Sequence, residues 1–115
     1  MKRFLNSFVH AFEGIIRTIK EERNIKIHLL AVIVVISMGL IYKISIVEWM
    51  ICLVLFGLVI STEIINTSIE RAVDLISKEK SDLAKMAKDA AAGAVLVNAI
   101  ISAIIAGIIW IPKIF

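Results

Sequence analysis

The chain has 115 residues; 60% are hydrophobic, only 20% are charged, and the mean hydropathy is +0.96. So small a chain has too little interior to hide that much apolar surface, which excludes an ordinary soluble domain and points to a bilayer as the solvent. The length leaves no room for a separate nucleotide-binding domain, and a net charge of +3 is too mild to argue for nucleic acid.

Residues 1–24 carry Phe4, Phe8, Phe12, Ile15 and Ile19 on one helical stripe, with Arg3, Asn6, Glu13, Arg17 and Lys20 largely elsewhere. This spacing predicts an amphipathic helix lying in the membrane interface or docked on the rest of the protein. Residues 27–42 hold no Asp, Glu, Lys or Arg, and 27–47 reads as the first transmembrane span. Lys43 and Glu48 bracket a short turn. The uncharged run 49–62 is brief for a span, but the helical pattern continues through Glu63 and Asn66. A second helix over 48–76 follows, its lower part leaving the hydrocarbon. Residues 77–89 read as a polar connection. The run 90–112 is uncharged and forms the third span, with Pro112, the single proline, at its end.

Three spans put the N-terminus and the 77–89 connection on one side. Eleven of the 13 Lys and Arg residues fall there, leaving Lys43 and Lys113 opposite, so the positive-inside rule makes that side cytoplasmic. Nine of the ten acidic residues fall there too, with only Glu48 outside. Carboxylates do not set topology, so their asymmetry asks for another cause. In the third span Ala99, Ala103 and Gly107 form a ridge of small residues that suits close helix approach in lipid. Three helices bury little surface within one chain, so a homo-oligomer is expected. Cys52 stands alone in an apolar run, so no intramolecular disulfide exists.

The chemistry concentrates on the second helix. At 100° per residue, with Glu63 at 0°, Asn66 falls at about −60°, Glu70 at about −20° and Asp74 at about +20°. Ile64, Ile65, Ile69, Ala72, Val73 and Ile76 occupy the opposite face. Stacked carboxylates at the membrane boundary repel each other unless a cation or ligand neutralises them. Such oxygens suit Mg²⁺, which prefers hard ligands and keeps waters or phosphate oxygens. Zinc has no matching cysteines and no HExxH spacing beside His10 and His28, and no glycine-rich phosphate loop is present. Two further mixed clusters flank the spans, Glu21–His28 and Lys85–Asp89. Either could be interfacial anchoring. Together with the stripe they supply what phosphoryl transfer needs: metal ligands, phosphate-holding cations and a proton-accepting carboxylate. A small proton-coupled transporter would want four spans and an acid near mid-membrane; a non-catalytic membrane subunit would leave the stripe unexplained.

The stretch Glu63-Ile-Ile-Asn66-Thr-Ser-Ile-Glu70 through Asp74, followed by Ala87-Lys88-Asp89-Ala-Ala-Ala-Gly93-Ala-Val-Leu96, resembles the signature of the small prokaryotic diacylglycerol and undecaprenol kinases. Glu22-Arg-Asn-Ile-Lys-Ile-His28 is similar to the Gram-positive branch, whose members favour undecaprenol. The resemblance implies an all-α integral membrane protein, a surface helix plus three transmembrane helices, assembled as a homotrimer with sites shared between neighbours. It implies ATP- and Mg²⁺-dependent phosphorylation of a lipid hydroxyl, on undecaprenol or on diacylglycerol, at the bacterial cytoplasmic membrane. By position, Glu63 matches the general base, Glu22 and Glu70 the metal-binding carboxylates, and Asn66, Lys88 and Asp89 residues around the nucleotide phosphates. Arg3 and Asp74 align with functional positions, and Ala11 and Gly14 with small residues near the nucleotide. His28 stands where the enterobacterial branch has an acidic residue.

Overall fold

The computed structural model describes residues 1–77 and 81–115 and is all helical among them. Four helices follow in chain order: α1 (Lys2–Glu21), α2 (Arg23–Tyr42), α3 (Ile46–Ile76) and α4 (Asp82–Ile114). By length and composition α2, α3 and α4 can each cross a membrane. The chain is thus a multi-pass membrane protein.

The boundaries have local causes. A single extended residue, Glu22 at φ −104° and ψ 128°, separates α1 from α2 and turns the chain at a corner. Lys43, in the left-handed region at φ 50°, closes α2. Ser45 and Glu48 then form a reciprocal capping box: Glu48 N–H donates to Ser45 Oγ (3.2 Å), and Ser45 N–H donates to Glu48 Oε1 (2.9 Å). Ser81 Oγ accepts from Ala84 N–H (3.1 Å) and starts α4.

That start corrects the sequence reading, which took 77–89 as a connection. Helix α4 begins at Asp82, because a Ser cap precedes an alanine-rich stretch with no breaker. Lys85, Lys88 and Asp89 therefore stand on a rigid helix. Lys78 and Lys80, counted on the basic side, lie outside the described residues. Pro112 sits within the last turn of α4 and removes the backbone N–H that would reach the Ile108 carbonyl.

The most extensive packing is α3 against α4, followed by α2 against α3; α1 rests on α2 and α3. At the end of the bundle holding the α2–α3 turn, Ile44, Cys52, Ile109 and Trp110 are buried, with Trp49, Met38 and Phe56 against them. Gly39 is essential to this packing, since a Cβ there would lie 2.6 Å from the Trp49 ring. Lys113 Nζ donates to Glu48 Oε2 (2.9 Å), tying the end of α4 to the start of α3.

Small residues of α4 facing the interior include the buried Ala91 and Ala99, Ser102 and Ala106, the last three lining a cavity between the helices. Ala103 of the expected ridge is exposed. Large apolar side chains such as Leu30, Ile33, Leu53 and Ile104 point outward, more than half exposed. In a bilayer that is the solvated arrangement, because lipid rather than water meets those faces.

Candidate active site

Helix α3 is built inside out compared with a soluble helix. Of its buried residues, Cys52 belongs to the apolar end, and the others are Glu63, Asn66 and Thr67. Glu63 is 2% exposed, whereas Ile65, Leu75 and Ile76 are 56%, 81% and 84% exposed. The upper part of the polar stripe, at Glu63 and Asn66, faces the bundle, as intramembrane polar groups require, while Asp74 at its lower end is exposed.

Each carboxylate of the stripe has acquired a partner. Glu63 Oε2 lies 3.4 Å from His28 Nε2 on α2. Asn66 Nδ2 donates to Glu70 Oε1 (3.3 Å), one turn along the same helix. Asp74 pairs with Lys88 across the α3–α4 interface. Asp89 does not join them: it accepts from Lys85 Nζ (2.8 Å) on its own helix.

The corner at Glu22 brings the end of α1 to α3. Arg71 Nη1 donates to Glu21 Oε2 (2.9 Å) and Nη2 to Glu22 Oε1 (2.8 Å). This guanidinium, and then that of Arg17, hold the Glu21 carboxyl below its ordinary value of 4.5. Glu22 thus stands at the part of α3 that bears Glu70, but it is neutralised by Arg71 rather than left open.

Asp89 apart, the predicted residues fall into two groups. Glu22, Glu63, Asn66, Glu70, Asp74 and Lys88 gather where the α1–α2 corner, α3 and the start of α4 meet. Arg3, Ala11 and Gly14 lie exposed along α1. Among the described residues no hydrogen bond or ion pair joins the Arg3 side chain to that cluster. A Cβ on Gly14 would meet nothing within 4 Å, so this chain alone gives no reason for a glycine there.

Two buried acceptors in the cluster, Asn66 Oδ1 and Thr67 Oγ1, have no partner. Such orphans are costly and mark a place where a ligand, water or ion completes the bonding. Among the described residues no three His, Cys, Asp or Glu side chains come together as a complete metal cage. Mg²⁺ does not need one, because one or two carboxylates suffice when phosphate and water fill the other positions. Glu70, beside an orphaned amide oxygen, fits that demand, and Glu22 would join it only on leaving Arg71.

Behind the cluster lies an apolar cavity of about 210 Å³ between α2, α3 and α4. His28 stands at its wall with Ala31 and Val59, and Trp110 and Ile109 line it further along. The Ser102 hydroxyl and the Trp110 indole N–H in that lining are unpartnered.

Several of these features escape sequence reasoning. The His28–Glu63 contact joins residues of different helices, and no periodicity encodes it. Asn98 Nδ2 donates to Leu58 O (3.4 Å) and Thr62 Oγ1 (3.3 Å), linking α4 to α3. Its signal was legible as a lone amide in an uncharged run. Arg71, directly after Glu70, was equally visible as a cation interrupting an acidic stripe.

A polytopic helical membrane protein with one buried carboxylate, and paired acids and cations beside it at one end, carries the kinds of group that phosphoryl transfer calls for. The comparisons with known proteins agree. The family model described as prokaryotic diacylglycerol kinase matches residues 9–110, and the chain belongs to that family. It is 50% identical, over 98% of its length and 92% of the relative's, to the undecaprenol kinase of Bacillus subtilis. It is 34% identical to the diacylglycerol kinase of a Synechocystis species, over 94% of this chain and 62% of that one.

Proposed function

We propose that this chain is an undecaprenol kinase, moving the γ-phosphoryl group of ATP onto the lipid hydroxyl at the cytoplasmic face of the bacterial membrane. The carrying observation is the 50% identity to an undecaprenol kinase across nearly the whole of both chains. The buried Glu63 carboxylate beside His28 supports the chemistry. Glu63 takes the proton of the lipid hydroxyl, whose oxygen forms the new O–P bond as the bond to the ADP leaving group breaks. Glu22 and Glu70 would hold Mg²⁺, which supplies neutralising charge on the phosphates when bound. Lys88 and Asn66 stand near enough to the stripe to hold and orient phosphate oxygens. Asp74 positions Lys88 by pairing with it. Asp89, Arg3, Ala11 and Gly14 complete the nucleotide side of the site.

Two arguments favour a homotrimer with sites shared between neighbours. Helix α1 buries none of its own residues and leaves Phe4, Phe8 and Phe12 more than half exposed. Its Arg3, Ala11 and Gly14 are not joined to the carboxylate cluster of the same chain, so a neighbouring copy is the natural complement. On this reading residues 1–115 form one unit, with α1 as an amphipathic interfacial helix, the N-terminus cytoplasmic and the C-terminus outside. A second substrate, diacylglycerol, is favoured by the 34% identical Synechocystis relative.

The test is transfer from labelled ATP, with Mg²⁺, to undecaprenol and diacylglycerol side by side in lipid. Strong transfer to undecaprenol is expected. Preference for diacylglycerol would keep the mechanism and overturn the substrate. No transfer to either by folded protein would overturn the kinase reading.

A further inference from the structure

We infer that His28 is a positioning residue for the Glu63 carboxylate, fixing one of its oxygens so that the other meets the lipid hydroxyl. The inference rests on the kinase reading above and adds a residue to it. Its geometric basis is the 3.4 Å approach of His28 Nε2 to Glu63 Oε2, between side chains that are 22% and 3% exposed.

A buried ionised carboxylate without a partner is strongly unfavourable, so a polar group facing Glu63 favours the form able to take a proton. The titratable groups on each surrounding element can be taken in turn. At the α1–α2 corner, Glu21 and Glu22 are held by Arg71. On α3 itself, Glu70 is bonded to Asn66. On α4, Lys88 is taken by Asp74 and Lys85 by Asp89. The nearby amide of α4, Asn98, bonds Leu58 and Thr62 instead. Among the described residues His28 alone comes within pairing distance of Glu63. A base oriented by a second polar group is the arrangement that proton abstraction in a catalytic site calls for.

His28 is also restrained on its other side. It forms part of the wall of the apolar cavity, beside Ala31 and Val59 on the helices that flank it. Its ring is therefore a wedge between cavity and carboxylate, with limited freedom to rotate away. This placement predicts an effect on turnover rather than on lipid affinity, because the long apolar chain supplies the binding and the imidazole only aims the base.

The experiment compares wild type, His28→Gln and His28→Phe with undecaprenol, reading kcat and lipid KM separately. Gln keeps an N–H donor toward Glu63; Phe keeps the ring volume and loses the donor. His28→Phe is expected to lower kcat by about 10²-fold while lipid KM stays within about twofold, and His28→Gln to recover to within about tenfold of wild type. A second readout follows labelling of Glu63 by a hydrophobic carbodiimide, quantified by mass spectrometry. Labelling should rise in His28→Phe and return toward wild type in His28→Gln. Should the Phe variant fail to fold, His28→Ala with added imidazole makes the same comparison, kcat rising with imidazole. Wild-type kcat in His28→Phe, a change confined to KM, or equal losses in Gln and Phe with unaltered labelling would each overturn the role of His28. Wild-type protein inactive on both lipids would instead overturn the kinase reading, and the labelling comparison would still judge the contact.

Discussion

On the proposed mechanism, Glu63 is the residue on which the chemistry turns. It is nearly fully buried, yet it sits at the end of an uncharged run, one turn before Asn66 and two before Glu70. Glu63→Gln preserves volume and a polar group facing His28 but cannot take a proton. It should keep the oligomer intact and lower kcat by about 10²–10⁴-fold, read from labelled-phosphate transfer. Glu70→Gln should act differently, raising the Mg²⁺ concentration needed for half-maximal activity; an unchanged Mg²⁺ titration would remove Glu70 from the metal site. Far from the site, Gly39 has no room for a methyl group against Trp49. Gly39→Ala should cost about 1–3 kcal/mol, visible as a lower thermal midpoint in detergent, while leaving lipid KM unchanged.

At the scale of elements, the α1–α2 corner is a clamp. Arg71 holds both carboxylates of Glu21 and Glu22 and so fixes the end of α1 on α3. The Glu21 carboxyl is held below its ordinary value of 4.5, first by Arg71 and then by Arg17. Its contribution is therefore fully present above that ordinary value and is lost as the pH falls through the lowered one. Spin labels on α1 and α3 should report a docked α1 at neutral pH and release in acid, and Arg71→Ala should loosen α1 at every pH.

Much of this level was legible in the sequence. The break near residue 24, the turn bracketed by Lys43 and Glu48, and the long second helix all came from charge placement and period. The orientation of the carboxylate stripe did not, because in lipid both the interior and the surroundings are apolar and periodicity alone does not say which face turns inward. The start of α4 was hidden for another reason. Hydropathy marks where a helix enters hydrocarbon, whereas Ser81 and the alanines decide where the helix itself begins. Partner choice, His28 for Glu63 and Arg71 for Glu22, depends on packing between helices and has no signature along one of them.

Over the whole molecule, the two ends of the bundle do different work. The end with the α2–α3 turn is apolar, capped and cross-tied by Lys113 and Glu48; the other carries the cluster of charges and the orphaned acceptors. The apolar packing is thus concentrated at one end, and the groups proposed to meet substrate stand at the opposite rim. Lys113→Ala should lower the thermal midpoint and leave kcat within about twofold, since a surface ion pair contributes about 1 kcal/mol or less.

Helix α3 has 31 residues and so spans about 46 Å, against about 30 Å for a typical hydrocarbon core. With Glu48 in its first turn clasped to Lys113, Glu63 lies about 22 Å further along, toward the opposite edge of the hydrocarbon. The helix is therefore a ruler, and the bilayer is what it measures. In a thicker membrane Glu63 would sink below the headgroups, and in a thinner one it would rise clear of the lipid hydroxyl. Hydrophobic mismatch, an attribute of the host lipid, thereby becomes a control on turnover, and acyl-chain length should trace an optimum in rate with no change in the protein at all.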